Sequence, residues 1–216
     1  MRDLVTLMLA AIALAWCADH VSFGPAKHDR RQRLIVCTLV IIILLAGFAG
    51  LRTRCNDTGT YRYSYKLLTE KLWEASDKSV GSNPLFNWVN YRLKMHGVST
   101  QNFLMFWAFL TVGCYFIFVH KYSVNYPLTI FLLFVTGCYT FAFAGIKQAA
   151  AVGISVIATM FALKKKWLLF AAGILIAALI HPYSLMYLLD AGSLHCSGLS
   201  AAPAARHGGQ HHDAAG

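Results

Sequence analysis

The chain consists of long apolar segments separated by polar links. Each apolar segment approaches the ~20 residues that a helix needs to cross a bilayer. The link at residues 52–101 is far longer than its neighbours and mixes aromatic with charged residues. The pattern therefore predicts an all-α fold, a polytopic transmembrane helical bundle of about six spans that forms one domain over residues 1–189. The predicted spans cover residues 4–18, 34–51, 103–119, 127–144, 149–163 and 167–189.

The first apolar segment has a second interpretation. It is short, follows Arg2 and contains small residues, as a secretory signal peptide does. A basic cluster and a second apolar segment follow soon after it, and this arrangement favours a helical hairpin.

Lysines and arginines near the helix ends indicate the orientation, because cytoplasmic links are enriched in them. The links after the first, third and fifth segments fall on one side if the spans alternate, so that side is predicted to be cytoplasmic. The N-terminus and the long loop then face outward. Arg52 and Arg54, at the outer end of the second span, violate the rule and require an explanation. The basic residues of the three inner links are Lys27, Arg30, Arg31, Arg33, Lys121 and Lys164 to Lys166.

Composition agrees with a membrane protein. Hydrophobic residues make up 57% of the chain and charged residues 13%, whereas soluble domains contain about 25% charged residues. A net charge of +10 could indicate nucleic acid as a partner, but the basic residues lie in clusters between apolar segments, so no nucleic acid is predicted. The six cysteines show no CxxC spacing, which predicts neither a disulfide framework nor a metal site.

Residues 190–216 differ from everything before them, since they are rich in Ala, Gly and His and follow no period. A disordered tail is one interpretation. The favoured one is an artefact, in which a frameshift or a contig end has replaced the native continuation. His207, His211 and His212 are therefore not predicted to bind a metal.

Polar residues at membrane depth are costly and mark functional sites. At the outer end of the second span, Arg52 and Arg54 with Asp57 and Thr58 form a cationic group beside a carboxylate. Guanidinium groups bind phosphate through two parallel hydrogen bonds. The alternative is an interfacial anchor, or an Arg54–Asp57 pair that caps the helix end.

Two further sites lie later in the chain. Lys147 and Gln148 follow Gly145 in an apolar region, where the lysine could meet a phosphate or a sugar or could simply extend to the interface. His181 precedes Pro182 and could act as a base or a hydrogen-bond donor, or could be a packing histidine. Under the predicted topology all these residues face the outer side and meet at one mouth, which suits a substrate with a diphosphate and hydroxyl groups.

The long loop contains aromatic residues among polar ones, and an amphipathic helix is predicted to begin near Pro84. Such aromatic side chains suit stacking on sugar rings, although an interfacial belt explains them equally well. The aromatic residues are Tyr61, Tyr63, Tyr65, Trp73, Phe86, Trp88 and Tyr91.

These motifs, in this order, resemble the EpsG family of bacterial exopolysaccharide polymerases over about residues 30–189. The family is similar to the Wzy-type polymerases and to integral-membrane glycosyltransferases of the GT-C kind, so the bundle is expected to resemble the N-terminal part of that fold. The motifs that carry the resemblance are Arg52, Arg54, Asp57, Thr58 and Tyr61 after an apolar helix, Gly81 to Phe86, Gly145 to Ala151, the lysine-rich turn, and His181 to Ser184.

The resemblance implies an enzyme that joins glycan repeat units carried on polyprenyl diphosphate, at the outer face of a bacterial cytoplasmic membrane. It implies neither a cofactor nor a metal. The expected partners are the lipid-linked oligosaccharide and membrane lipid, with a flippase and a chain-length regulator. Family members carry further helices after the histidine, so the resemblance also implies that this chain is a fragment.

The resemblance also implies roles for individual residues. Arg52, Arg54 and Lys147 would hold the diphosphate, and Asp57 would position an arginine or the acceptor hydroxyl. His181 would be the general base or would orient the acceptor. Thr58, Tyr61 and Gln148 would complete the substrate-binding set. Two alternatives remain open: a transporter or accessory subunit for lipid-linked sugars, and a non-catalytic membrane fragment.

Overall fold

A computed structural model describes residues 2–20, 27–53, 55, 57–68 and 83–188. These residues are almost all helical and contain no strand, which confirms the predicted all-α architecture. Arg54, the motif at residues 81–82 and the tail from residue 190 lie outside this part of the chain. The helices are α1 (Arg2–His20), α2 (Lys27–Gly50), α3 (Thr58–Leu67), α4 (Pro84–Met95), α5 (Thr100–Tyr122), α6 (Tyr126–Val135), α7 (Cys138–Ala144), α8 (Ile146–Ala162) and α9 (Trp167–Ile180), followed by a 3₁₀ helix (Pro182–Met186).

Three of the described helices are long and apolar enough to cross a membrane: α1, α2 over Gln32–Gly50, and α5. Helices α6 and α7 count as a fourth candidate if the pair is one span, bent by 43°. Helices α8 and α9 are apolar but have only 17 and 14 residues. All six predicted segments are thus helical, and several of them have the length of a span.

The break between α6 and α7 and the early end of α9 differ from the predicted spans, and both have local causes. Gly137, between α6 and α7, has a φ of 80°, a left-handed conformation that glycine adopts without steric cost. Helix α9 ends at Ile180 because Pro182 follows and disfavours helical geometry in the residue before it. His181 accordingly has extended backbone angles, with φ −154° and ψ 120°, and lies beyond the helix.

The long apolar helices alternate in direction when α6 and α7 are counted as one bent span. At one end of the bundle, the Gln101 side chain donates to the carbonyl of Gly50 at 2.6 Å, and Arg52 donates to the carbonyl of Ala142 at 2.9 Å. The ends of α2 and α7 and the start of α5 therefore meet there, and we call this the loop-bearing end. At the opposite, basic end, the side chains of Lys121 and Lys164 lie close together.

Small residues allow close approach where helices cross, as is common in membrane bundles. A Cβ on Gly153 of α8 would lie 3.1 Å from the Cβ of Cys114. A Cβ on Gly173 of α9 would lie 2.7 Å from the Cβ of Ala158. These contacts bring α5, α8 and α9 together.

Gly50 provides a first test of this packing. A Cβ there would clash with the Met105 sulfur and would lie 3.0 Å from the Met105 Cα, so Gly50→Ala forces α2 away from α5. We expect a loss of about 1–3 kcal/mol in the free energy of unfolding, as for other overpacked sites. Denaturant titration of the detergent-solubilised protein measures the change.

Gly47 on the same helix is the matched control, since a Cβ at this position has no neighbour within 4 Å. Gly47→Ala is expected to leave stability unchanged or to raise it by up to ~1 kcal/mol, because alanine favours helix more than glycine does. Equal effects of the two substitutions would contradict the close approach of α2 and α5.

Candidate functional site

A cavity of about 540 Å³ opens at the loop-bearing end, between α3, α4, α5 and the start of α8. Its lining combines aromatic rings with amide, hydroxyl, carboxylate and ammonium groups, so we call it the aromatic cavity. Such a mixture of apolar walls and a few polar groups is typical of small-molecule sites. The lining residues are Asp57, Thr60, Tyr61, Ser64, Tyr65, Leu68, Phe86, Asn87, Asn90, Phe103, Lys147 and Gln148.

The inner wall of the aromatic cavity is held by hydrogen bonds and stacked rings. Tyr65 stacks on Phe103 with ring centroids 4.3 Å apart, and its hydroxyl donates to the carbonyl of Val98 at 2.9 Å. The indole N–H of Trp107 donates to Asn90 Oδ1 at 2.9 Å. Because these polar atoms are satisfied within the wall, the aromatic faces have fixed positions.

Tyr61 connects α3 to the first turn of α8. Its hydroxyl forms a hydrogen bond with the backbone of Lys147, and its ring meets Phe86 edge-on at 6.0 Å. Burial raises the pKa of Tyr61, and the neighbouring Asp57 carboxylate raises it further. The phenol is therefore neutral at physiological pH and retains a proton to donate.

Lys147 and Gln148 enter the aromatic cavity from the first turn of α8. The amino-terminal end of a helix carries partial positive charge, and Lys147 adds a full one, so this wall attracts anions. Gly145 precedes the helix, and a Cβ at this position would lie 2.7 Å from Gln148 Oε1. The glycine therefore leaves room for the Gln148 side chain.

Arg52 binds protein groups on three segments. Its Nε donates to Thr58 Oγ1 at 2.9 Å, and its Nη1 donates to the carbonyls of Ala49 at 3.0 Å and Ala142 at 2.9 Å. Burial lowers its pKa, yet an arginine remains charged at any physiological pH. Arg52 thus joins the carboxyl ends of α2 and α7, where helix carbonyls carry partial negative charge.

Arg52 also lines a separate cavity of about 680 Å³, beside Asp3 and Cys55. Its guanidinium carbon lies 5.6 Å from the centre of the Phe143 ring. The structure therefore places Arg52 and Lys147 at the same end of the bundle but on different cavities, where the sequence predicted one shared mouth.

Asp57 and Thr58 have different surroundings although they are adjacent. The Asp57 side chain is exposed, lines the aromatic cavity and makes no capping hydrogen bond at the start of α3. Thr58 is buried and accepts the hydrogen bond from Arg52. Asp57 is thus available to a ligand, whereas Thr58 contributes to the anchoring of α3. Arg54 and the predicted Arg54–Asp57 pair lie outside the described residues.

His181 lines a third cavity of about 330 Å³, which we call the histidine cavity. His181 is buried, with 8% of its surface exposed. Burial lowers the pKa of His181 below its usual value, and the positive charge of Lys147 lowers it further. The imidazole is therefore largely neutral at pH 7, as a general base must be. Gln148 lines both the histidine cavity and the aromatic cavity.

Sequence reasoning missed several polar residues of the aromatic cavity. The alternation of aromatic and polar residues in the long loop was their signal, but it did not tell which polar side chains face inward. Helix formation in α3 and α4 decides this, because residues three or four apart share a face. The missed residues are Thr60, Ser64, Asn87 and Asn90.

Within the described part of the chain, no group of three or more His, Cys, Asp or Glu residues is arranged to hold a metal ion. The described site residues instead offer hydrogen-bond donors and acceptors, one ammonium group and one imidazole. This set can bind a polar anionic ligand and can accept a proton from it.

Comparison with known protein families gives a match. The family model described as the EpsG family matches residues 35–191, which is more than half of the chain. No curated protein matches, and no solved structure matches. The matched region contains the aromatic and histidine cavities, and the match confirms the family indicated by the sequence motifs.

Proposed function

Since this chain belongs to the EpsG family, we propose that it polymerises an exopolysaccharide from lipid-linked oligosaccharides. A glycan would be transferred from polyprenyl diphosphate onto the sugar of a second lipid-linked unit, at the outer face of a bacterial cytoplasmic membrane. The observation that carries the proposal is the junction at Gln148, which brings Lys147 and His181 to the boundary of two adjoining cavities.

The aromatic cavity would bind the acceptor sugars. Pyranose rings have apolar faces that pack on aromatic side chains, and their hydroxyl groups pair with amides and carboxylates. Tyr61 and Phe86 supply the rings, and Asn87 supplies an amide. Asp57 would accept a hydrogen bond from an acceptor hydroxyl and so orient it.

Lys147 would hold the diphosphate of the donor. The first-turn amides of α8 and the lysine charge would stabilise the negative charge that develops as the diphosphate leaves. Arg52 and Arg54 are proposed as further contacts to the diphosphate from the neighbouring segment. Among these three residues, Lys147 lies on the same cavity as Asp57 and Tyr61.

In the proposed step, the acceptor hydroxyl oxygen attacks the anomeric carbon of the donor sugar. A new glycosidic C–O bond forms, and the bond from that carbon to the diphosphate oxygen breaks. The hydroxyl proton passes to the neutral imidazole of His181, and polyprenyl diphosphate departs with the bonding electron pair. General base catalysis of this kind contributes about 10²–10⁴-fold to rate.

Reconstitution of the purified chain in proteoliposomes tests the function. With a polyprenyl-diphosphate-linked repeat unit as the only substrate, we expect a ladder of products that differ by one repeat. A protein that moves the intact lipid-linked unit across the bilayer without forming a ladder would be a transporter, and the polymerase proposal would be wrong.

The effect of Lys147 on the pKa of His181 allows the role of His181 to be tested by the pH dependence of the rate. Because Lys147 lowers the pKa of His181, Lys147→Gln is expected to raise that pKa. A base is lost when it is protonated, so the acidic limb of the pH–rate profile should move to higher pH, whatever the change in maximal rate.

Lys94→Gln is the matched control for this shift, because Lys94 lies at the same end over the Tyr65 ring. This variant should leave the acidic limb where it is in the unmodified chain. An acidic limb that stays in place in Lys147→Gln would contradict the assignment of His181 as the base.

A further inference from the structure

An apolar groove of about 450 Å³ lies between α5, the bent pair α6–α7 and α8. Its lining is almost entirely apolar, in contrast to the aromatic cavity. None of its lining residues has been given a catalytic or binding role above. The lining residues are Tyr115, Phe118, Val119, Thr129, Leu132, Leu133, Thr136, Cys138, Val152, Val156, Thr159 and Tyr187.

The groove begins where the histidine cavity ends, since Val152 and Tyr187 line both. Along α8, Gln148 at the junction and Thr159 in the groove are eleven positions apart, which is about 16 Å at ~1.5 Å per residue. A bilayer core is ~30 Å thick. The cavity and groove together therefore extend from the loop-bearing end through about half of a bilayer.

The threonine hydroxyl groups in the groove donate to the backbone of their own segments. Thr136 donates to the carbonyl of Leu132 at 2.7 Å, and Thr159 donates to that of Ser155 at 2.9 Å. Thr129 donates to the carbonyl of Asn125 at 2.8 Å. Because these hydroxyls are satisfied by the backbone, the groove offers a ligand mainly methyl groups and rings.

The groove and the cavities fit one kind of molecule, a lipid with a polar head at the junction and a long hydrocarbon chain below it. We propose that the groove binds the polyprenyl chain of the donor, an inference that rests on the proposed function. The diphosphate would lie at Lys147 and Gln148, and the first isoprene units would pass Val152 and Tyr187 into the groove. A bilayer phospholipid is a weaker fit, because the groove opens into the cavity of His181.

Photo-crosslinking tests the groove by binding alone. The chain in proteoliposomes is irradiated with a polyprenyl diphosphate that carries a diazirine on an isoprene unit and has no glycan. We expect crosslinks at groove residues such as Val156 and Leu132, which excess unlabelled polyprenyl diphosphate removes and excess phospholipid does not. Crosslinks elsewhere, or crosslinks that phospholipid removes equally well, would overturn the inference.

A variant extends the test to turnover. Val156→Phe should fill part of the groove and lower kcat/KM for a long-chain donor by about tenfold, through lost apolar contact. Turnover of a donor on a short isoprenoid should change less than twofold. Val36→Phe makes the same change at an exposed position of α2 and should leave both donors unaffected.

The two proposals fail in different ways. Competed crosslinks without any product ladder would retain the groove as a lipid site and reject polymerase activity. A ladder from long-chain and short-chain donors at equal efficiency, without groove crosslinks, would retain the activity and reject the groove. The crosslink on the unmodified chain decides the case if Val156→Phe does not fold.

Discussion

His181→Ala is expected to reduce polymer formation by about 10²–10⁴-fold, the usual contribution of a general base. The imidazole is buried at the junction with Gln148, and its pKa is lowered by burial and by Lys147. Alanine keeps the extended backbone before Pro182 but cannot accept a proton. The measurement is the initial rate of repeat-unit addition in proteoliposomes, normalised to folded protein.

A packing role for His181 predicts a different result. In that case His181→Ala would lower thermal stability, and the rate per folded molecule would stay within about threefold of the unmodified chain. His96→Ala is the control, because His96 is exposed at the end of α4 and lines none of the cavities described. Its substitution should change neither rate nor stability.

Arg52→Ala is expected to have the largest effect on stability. The guanidinium donates to two helix carbonyls and to Thr58, and hydrogen bonds to charged groups contribute roughly 1.5–3 kcal/mol each. Because Arg52 is half-buried, we expect a loss of about 3 kcal/mol in the free energy of unfolding. Arg52→Lys keeps the charge but not the fork of donors, so it should recover only part of this loss.

Thr58→Val removes one of the three acceptors and keeps the size of the side chain. It should cost about 1 kcal/mol, the value of a typical hydrogen bond. Denaturant titration of the three variants gives the comparison. Should Arg52→Ala unfold at the same denaturant concentration as the unmodified chain, Arg52 would not be an anchor of α2 and α7. The proposed contact of Arg52 with the ligand would then remain as its role.

The helices were largely predictable from the sequence. Apolar length located the helices of the bundle, and Pro84 correctly indicated the start of α4, since proline suits the first turn of a helix. The bend at Gly137 was not predictable, because a glycine in an apolar run is compatible with a straight helix. The end of α9 at Ile180 follows from Pro182, although the apolar pattern predicted a span that continues to residue 189.

The candidate site was predictable in its residues more than in its arrangement. Arg52 stood out because its charge conflicts with the positive-inside rule. Its partner is the carbonyl of Ala142, 90 residues away, and a backbone acceptor leaves no trace in the side-chain sequence. Arg52 and Lys147 were expected to share one mouth because this backbone contact could not be foreseen. They line separate cavities.

The two cavities that meet at Gln148 differ in the chain segments that form them as well as in their chemistry. The aromatic cavity takes most of its wall from α3 and α4, which belong to the long loop. The histidine cavity takes its wall from α7, α8 and the segment after α9. Substitutions in the loop can therefore reshape the cavity proposed for the acceptor sugars while the cavity that leads to the proposed lipid groove stays intact. Related chains could diversify the polymers they make in this way and still use one common carrier lipid.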